Sequence, residues 1–142
     1  MTASERALID SNLLVYWFDA SEPVKHEKAD SFMRERFAAG DSCVSAQNLA
    51  EFHSAVTGKI EQALDGADSQ AIVQKLAKTL HVFMYGARTV VAAIDLQARY
   101  GTPFWDALLA ATMEENGIHT IYTENTKEFE KIPWLNVINP LA

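Results

Sequence analysis

Five short apolar runs, separated by longer stretches patterned as helices, constrain this chain more than anything else in it. The runs are "ALI" at 7–9, "SCVSA" at 42–46, "HVFMY" at 81–85, "HTIYT" at 119–123 and "LNVI" at 135–138. Each is bounded by polar or turn residues and has the length of a buried strand. Leu13, Leu14, Tyr16 and Trp17 continue the first run at near-helical spacing. Pro23 stands near the start of a helix whose Phe32, Met33 and Phe37 share a face and which Gly40 ends. Ser45 caps a helix through "AQNLAEFHSAV" to Gly58, and "IEQALDGADSQAIVQKLAKTL" reads as two helical pieces broken near Gly66, the second burying Ile72, Val73, Leu76 and Leu80. "ARTVVAAIDLQARYG" predicts a helix with Val91, Ile94 and Ala98 inward and Gly101 at its end. Thr102 and Pro103 then serve as N-cap and first-turn residue of "FWDALLAATMEENG". Strands alternating with helices predict an α/β fold, a central mainly parallel sheet flanked by helices, with ligands at the carboxyl ends of the strands.

The 142 residues fit one domain, 1–142, large enough to bury a core without disulfides. The apolar run Leu13 to Phe18 is far too short to span a bilayer, so no membrane segment is expected. The first residues, with Ser4, Glu5 and Arg6, lack the basic region, long apolar stretch and small-residue cleavage site of a secretory signal, and a cytoplasmic location is the expectation. The lone Cys43 sits in an apolar run and reads as a small buried residue. A net charge of -7 argues against broad phosphate binding, which needs a basic surface, but leaves room for a nuclease whose acids hold cations.

The strand-end rule selects particular residues. Asp10 ends the first run inside "LIDSNLLVY", wedged between apolar segments where a charge is costly unless something pairs with it. Glu51 lies in the helix after the second run, Asp106 in the first turn of a later helix, and Thr123, Glu124 and Asn125 follow the fourth run. Hard oxygen ligands without histidine or cysteine favour Mg²⁺ or Mn²⁺ over Zn²⁺.

"LIDSNLLVY", "SAQNLAEFHSA", "YGTPFWDALLAATMEENG" and "IYTENTKEFEKIPWLNVINP" together resemble the PIN-domain family, and more narrowly its VapC-type toxins from toxin-antitoxin pairs. They occur in the family's order across essentially the whole chain. The resemblance implies a Mg²⁺- or Mn²⁺-dependent endoribonuclease that cleaves RNA with metal-activated water, leaving a 5′-phosphate and a 3′-hydroxyl. Its first three acids fall on Asp10, Glu51 and Asp106, with Asp10 and Asp106 as metal ligands and Glu51 binding metal or positioning water. The family's fourth carboxylate falls on Asn125, a departure that Glu124 or Glu128 could offset; Asn125 itself could bind through its carbonyl oxygen or orient a water. Ser11 and Thr123 are candidates for hydrogen bonds to the carboxylates or the substrate phosphate, and Asn12 for fixing the turn after the strand. The resemblance further implies a homodimer, with the helices between Ile60 and Leu80 helping to form it and a groove for an antitoxin, whose basic residues would approach these acids.

Other residues read as structural. His53, two positions after Glu51, lies on a different helical face, and His26, His81 and His119 have no zinc spacing. Trp105 has two readings, a base-stacking surface or a packed helix, and burial is the expectation. Lys127, Lys131 and Arg99 are scattered and read as solvated surface. Two rivals stay open: an aspartyl-phosphate phosphohydrolase of the haloacid dehalogenase type, against which Asn12 stands where a second aspartate is needed, and a noncatalytic PIN-like module that binds RNA or protein.

Overall fold

The structure, a computed structural model, describes residues 6–142; the reading of the first residues through Ser4 and Glu5 lies outside them. Five strands form one sheet in the order β3-β2-β1-β4-β5, with every neighbouring pair parallel. The strands are β1 (Ala7–Ile9), β2 (Ser42–Ser45), β3 (His81–Phe83), β4 (Thr120–Tyr122) and β5 (Asn136–Ile138). The helices are α1 (Ser11–Phe18), α2 (Pro23–Ala39), α3 (Ala46–Gly58), α4 (Gly66–Thr79), α5 (Ala87–Tyr100), α6 (Phe104–Glu115) and the short α7 (Thr126–Phe129). Parallel neighbours need crossovers, and helices supply them, which is why a parallel sheet is covered on both faces.

Alternation along the strands sorts the core. Ile9 and Val44 point to a cluster with Leu13, Leu14, Met33 and Phe52, whereas Leu8, Cys43 and Ile121 point to the opposite cluster with Leu109, Met113 and Phe129. Each such fully buried side chain contributes about 1.5–3 kcal/mol. Cys43 is buried, and burial pushes its thiol up to about 12, so it stays protonated. A third cluster joins α5 to α6 through Ala93, Leu96, Ala107 and Ala111. Gly40 and Gly101 end α2 and α5 in the left-handed conformation, at φ 70° and 72°, where a side chain would be strained.

Several expectations are corrected. Residues 60–65 form a turn, because Leu64 N–H folds back to Val56 C=O at 2.8 Å and Asp65 caps α4; one isolated turn is too short to nucleate a helix. The stripe expected to be buried on α4 does pack inward: Leu76 and Leu80 are buried, and Ile72 and Val73, with Ile60 and Leu64, pack partly buried against the same core. On α5 the inward residues are Thr89, Ala93 and Leu96, while Val91, Ile94 and Ala98 face solvent. Both sets have helical spacing, and the small Ala93 wins because it lets α5 approach the alanines of α6. The run at 81–85 is a strand only to Phe83, with Met84 and Tyr85 exposed beyond the sheet edge. Pro103, not Thr102, occupies the N-cap of α6, without a side-chain cap bond, and the buried Thr102 hydroxyl finds no partner among the described residues. Trp105, expected to be buried, is 60% exposed, since α6 turns Ala107, Leu108 and Ala111 inward instead. Among the described residues no helix is long and apolar enough to cross a membrane.

Candidate active site

The sheet order places the site. The chain leaves β1 for β2 and β3 on one side, then returns to β4 and β5 on the other, so the crossovers diverge between β1 and β4 and open a crevice at their carboxyl ends. Asp10 follows β1 directly and Thr123 follows β4 directly. Asp10 N–H donates to Tyr122 C=O at 2.9 Å, which ties the two strand ends together.

Asp10 is only 7% exposed and is held by five donated hydrogen bonds. Ser11 N–H and the Thr123 hydroxyl each donate at 2.8 Å, to Oδ1 and Oδ2, and the first of these caps α1. The Ser11 hydroxyl (3.5 Å) and the Asn12 and Asn48 amides (both 3.4 Å) complete the set. Burial pushes the Asp10 pKa up, against the pull of Thr123 and Ser11. Thr123 is the hub of this network, because its hydroxyl also accepts from Asn12 Nδ2 at 3.2 Å and from Asn125 N–H at 2.9 Å.

Glu51 comes from the middle of α3, which Ser45 caps as expected: Gln47 N–H donates to Ser45 Oγ at 3.0 Å, and the Asn48 side chain closes the capping box. Glu51 Oε1 accepts from the Ser11 hydroxyl at 3.3 Å. Its pKa is raised by burial first, then by the charges of Asp10 and Asp106. Asp106, in the first turn of α6, is pushed up to about 6 by burial and by Asp10. Asn125 Nδ2 donates to Asp106 Oδ2 at 3.0 Å and opposes that rise. Burial thus raises all three carboxylates, the charge of Asp10 raises Glu51 and Asp106 further, and among the described residues none of the three forms a salt bridge.

Ser11, Asn12, Thr123 and Asn125 all join this network. Glu124 and Glu128 are held elsewhere. Glu124 takes the Lys25 ammonium at 2.7 Å and the Tyr16 hydroxyl at 2.8 Å, and Glu128 takes Lys131 at 2.6 Å. Glu128 still lies near enough for its charge to raise the Asp106 pKa. His53 bonds the Ser69 hydroxyl at 2.8 Å, apart from the carboxylates. Sequence reasoning missed Asn48, whose role as a capping-box partner hid its reach to Asp10, and Gln47, which supports Glu51 and donates to Trp105 C=O at 2.9 Å.

The donor set is all oxygen and anionic, which fits a hard divalent cation. It is not a closed cage: among the described residues no three His, Cys, Asp or Glu side chains are gathered tightly enough to ligate one ion alone. A cavity of about 490 Å³ opens beside Glu51, Ser11 and Asn12 and runs along Tyr16 to Lys59.

Comparison with known proteins agrees with this architecture. The PIN domain family model matches residues 7–135. A DNA-bound VapBC from Salmonella typhimurium superposes with a TM-score of 0.70 at 22% identity, covering 99% of each chain. A toxin-antitoxin complex from Klebsiella pneumoniae gives 0.67 at 18% identity, covering 94% of this chain and 97% of that one. VapC20 of Mycobacterium tuberculosis, described as a sarcin-ricin loop cleaving toxin, gives 0.67 at 15% identity, covering 87% and 93%. At these identities the structures are alike in fold. No curated protein matches the chain.

Proposed function

Because the chain belongs to the PIN domain family, we propose that it is a divalent-metal-dependent endoribonuclease, a VapC-type toxin restrained by a cognate antitoxin. The observation that carries this reading is the unpaired carboxylate trio at the β1/β4 crevice, with every pKa raised by burial and, for Glu51 and Asp106, by neighbouring acids. Neighbouring acids that form no salt bridge are the arrangement a divalent ion relieves, and the charge of Lys131 only partly offsets the rise at Asp106. Mg²⁺ or Mn²⁺ held by Asp10 and Asp106 would supply charge against the phosphate and make a water easier to deprotonate.

The chain's own residues divide the remaining work. Glu51 accepts the proton of the attacking water, its carboxylate aimed by the Ser11 hydroxyl. The water oxygen bonds to phosphorus as its proton passes to Glu51, the bond from phosphorus to the 3′ oxygen breaks, and that oxygen takes a proton from solvent as it leaves, giving a 5′-phosphate and a 3′-hydroxyl. Thr123 fixes the Asp10 carboxylate, and Asn12 pins the turn that carries it. Asn125 orients Asp106 and leaves the site one charge poorer than an acid there would. Glu124 braces α1 and α2 through Tyr16 and Lys25, so the metal role falls to the trio.

The test is cleavage of a structured RNA pool by the purified, antitoxin-free protein. Mg²⁺ or Mn²⁺ is expected to support cleavage and EDTA to abolish it. A folded protein that cuts nothing with either metal sinks the reading and leaves the noncatalytic PIN-like module, which the Asn125 departure favours. Family membership displaces the aspartyl-phosphate phosphohydrolase.

Partners belong to the same proposal. The antitoxin is supported by fold neighbours that are toxin-antitoxin complexes, and an arginine is the natural visitor to an unpaired carboxylate trio. A homodimer is supported by the exposed apolar stripe on α5, where Val91 and Ile94 are 69% and 55% exposed. Ile94→Lys is expected to shift the protein from dimer to monomer in sedimentation velocity with its melting temperature nearly unchanged. A monomeric parent protein, or a dimer indifferent to the substitution, removes that face from the proposal. A cytoplasmic location completes the reading.

A further inference from the structure

A nuclease with a net charge of -7 has little general attraction for RNA, so its hold on the strand must draw on contacts that do not depend on charge. One side chain next to a site residue in the chain offers such a contact. Trp105 is 60% exposed, an unusual position for an indole, and it immediately precedes Asp106 in the first turn of α6. It is not a loose surface residue. Its backbone carbonyl accepts from Gln47 Nε2 at 2.9 Å, and Gln47 is buried one helical turn before Glu51. Phe104 meets the indole edge-on, with ring centroids 5.2 Å apart and planes at 74°. The backbone of Trp105 is thus tied to α3, which carries Glu51, its ring packs against Phe104 of α6, which carries Asp106, and most of the residue stays in water.

Resting on the ribonuclease reading, we propose that Trp105 is a stacking platform for an unpaired base flanking the scissile phosphate. Stacking is indifferent to base identity, needs no positive charge, and demands a base outside a duplex. It would place the adjacent phosphate against the carboxylates by geometry, which suits a surface that repels phosphate at longer range. Trp105 is in this sense a substrate-positioning residue, with a role in affinity and no role in proton transfer.

The test is fluorescence anisotropy of a labelled single-stranded RNA in Mg²⁺, with Asp10→Asn as the parent so that bound strand is not cut. Trp105→Ala is expected to weaken binding about 5- to 150-fold, the equivalent of one stacked base, and Trp105→Phe to recover most of it. A strand carrying an abasic nucleotide at the flanking position, located by scanning, should bind the parent as weakly as Trp105→Ala binds the intact strand. Combining the two changes should add little more. An unchanged dissociation constant, equal weakening by alanine and phenylalanine, additive losses with the abasic strand, or no binding by the parent overturns the proposal. In the otherwise unaltered chain, Trp105→Ala should raise KM and leave kcat nearly constant; a fall in kcat alone also overturns it. If the unaltered protein cuts no RNA with any metal while the binding results hold, the ribonuclease reading fails and the stacking platform stands as part of an RNA-binding module.

Discussion

Asp10→Asn is expected to lower metal-dependent RNA cleavage by on the order of 10²- to 10⁴-fold while leaving the fold intact. An ion that stabilises charge on a reacting phosphate contributes several kcal/mol to the transition state, and each 1.4 kcal/mol or so is tenfold in rate. Asparagine keeps the volume of the side chain and one carbonyl oxygen for Ser11 N–H, so the α1 cap survives. What disappears is the charge at the one carboxylate that is both buried and shared between β1 and β4. Single-turnover cleavage at saturating Mg²⁺, alongside a thermal melt, reads both quantities. A variant that melts normally and still cuts at more than a tenth of the original rate would remove Asp10 from the centre of the mechanism.

Asp106→Asn should do the reverse for stability in the absence of metal. The folded protein holds the Asp106 pKa at about 6 against an ordinary 3.8, so the folded state binds this proton more tightly than the unfolded chain does. Stability from such a group is fully present below the unfolded value and is lost as the pH rises through about 6. Above pH 7 the ionised side chain therefore penalises the fold. Because the site is partly open to water, the penalty is about 1–2 kcal/mol after allowance for screening. Removing it should raise the melting temperature in EDTA at pH 7.5 by roughly 3–8 °C. The advantage should shrink as the pH falls through 6 and vanish near 4. Mg²⁺ at pH 7.5 should narrow the gap by stabilising the unaltered protein alone. A gap that is constant from pH 4 to 7.5, or an asparagine variant that melts lower at pH 7.5, contradicts the raised pKa.

The strands were legible because each apolar run is short and punctuated, and a parallel sheet leaves no other use for such runs between helices. Asp10 was legible for a related reason, since a charge among Ile9, Leu13 and Leu14 demands a partner. The helix faces were less so. On α5, Val91, Ile94 and Ala98 repeat as well as Thr89, Ala93 and Leu96 do, and periodicity reports that a stripe exists without saying which neighbour covers it. Trp105 misled in the same way: "FWDALLAA" is a packed helix, but the packed face begins at Ala107. The fate of Glu124 was invisible because its partners, Tyr16 and Lys25, lie about a hundred residues away along the chain.

By itself, then, the sequence determined the class of fold and the order of its elements and singled out Asp10, because strand length, helical period and the cost of a buried charge are local properties; Glu51 and Asp106 joined it as candidates only through the family resemblance. Only the tertiary structure decided that those acids share one crevice. The divergence of the chain on either side of β1 brings Asp10 and Thr123 together across 113 positions, and α3 and α6 deliver Glu51 and Asp106 to the same edge. The raised pKa values of Glu51 and Asp106 follow in part from that meeting, the withdrawal of Glu124 from the approach of Tyr16 and Lys25, and the exposure of Trp105 from the face α6 turns inward. Each depends on distances between residues far apart in the chain, and no pattern along the chain encodes a distance through space.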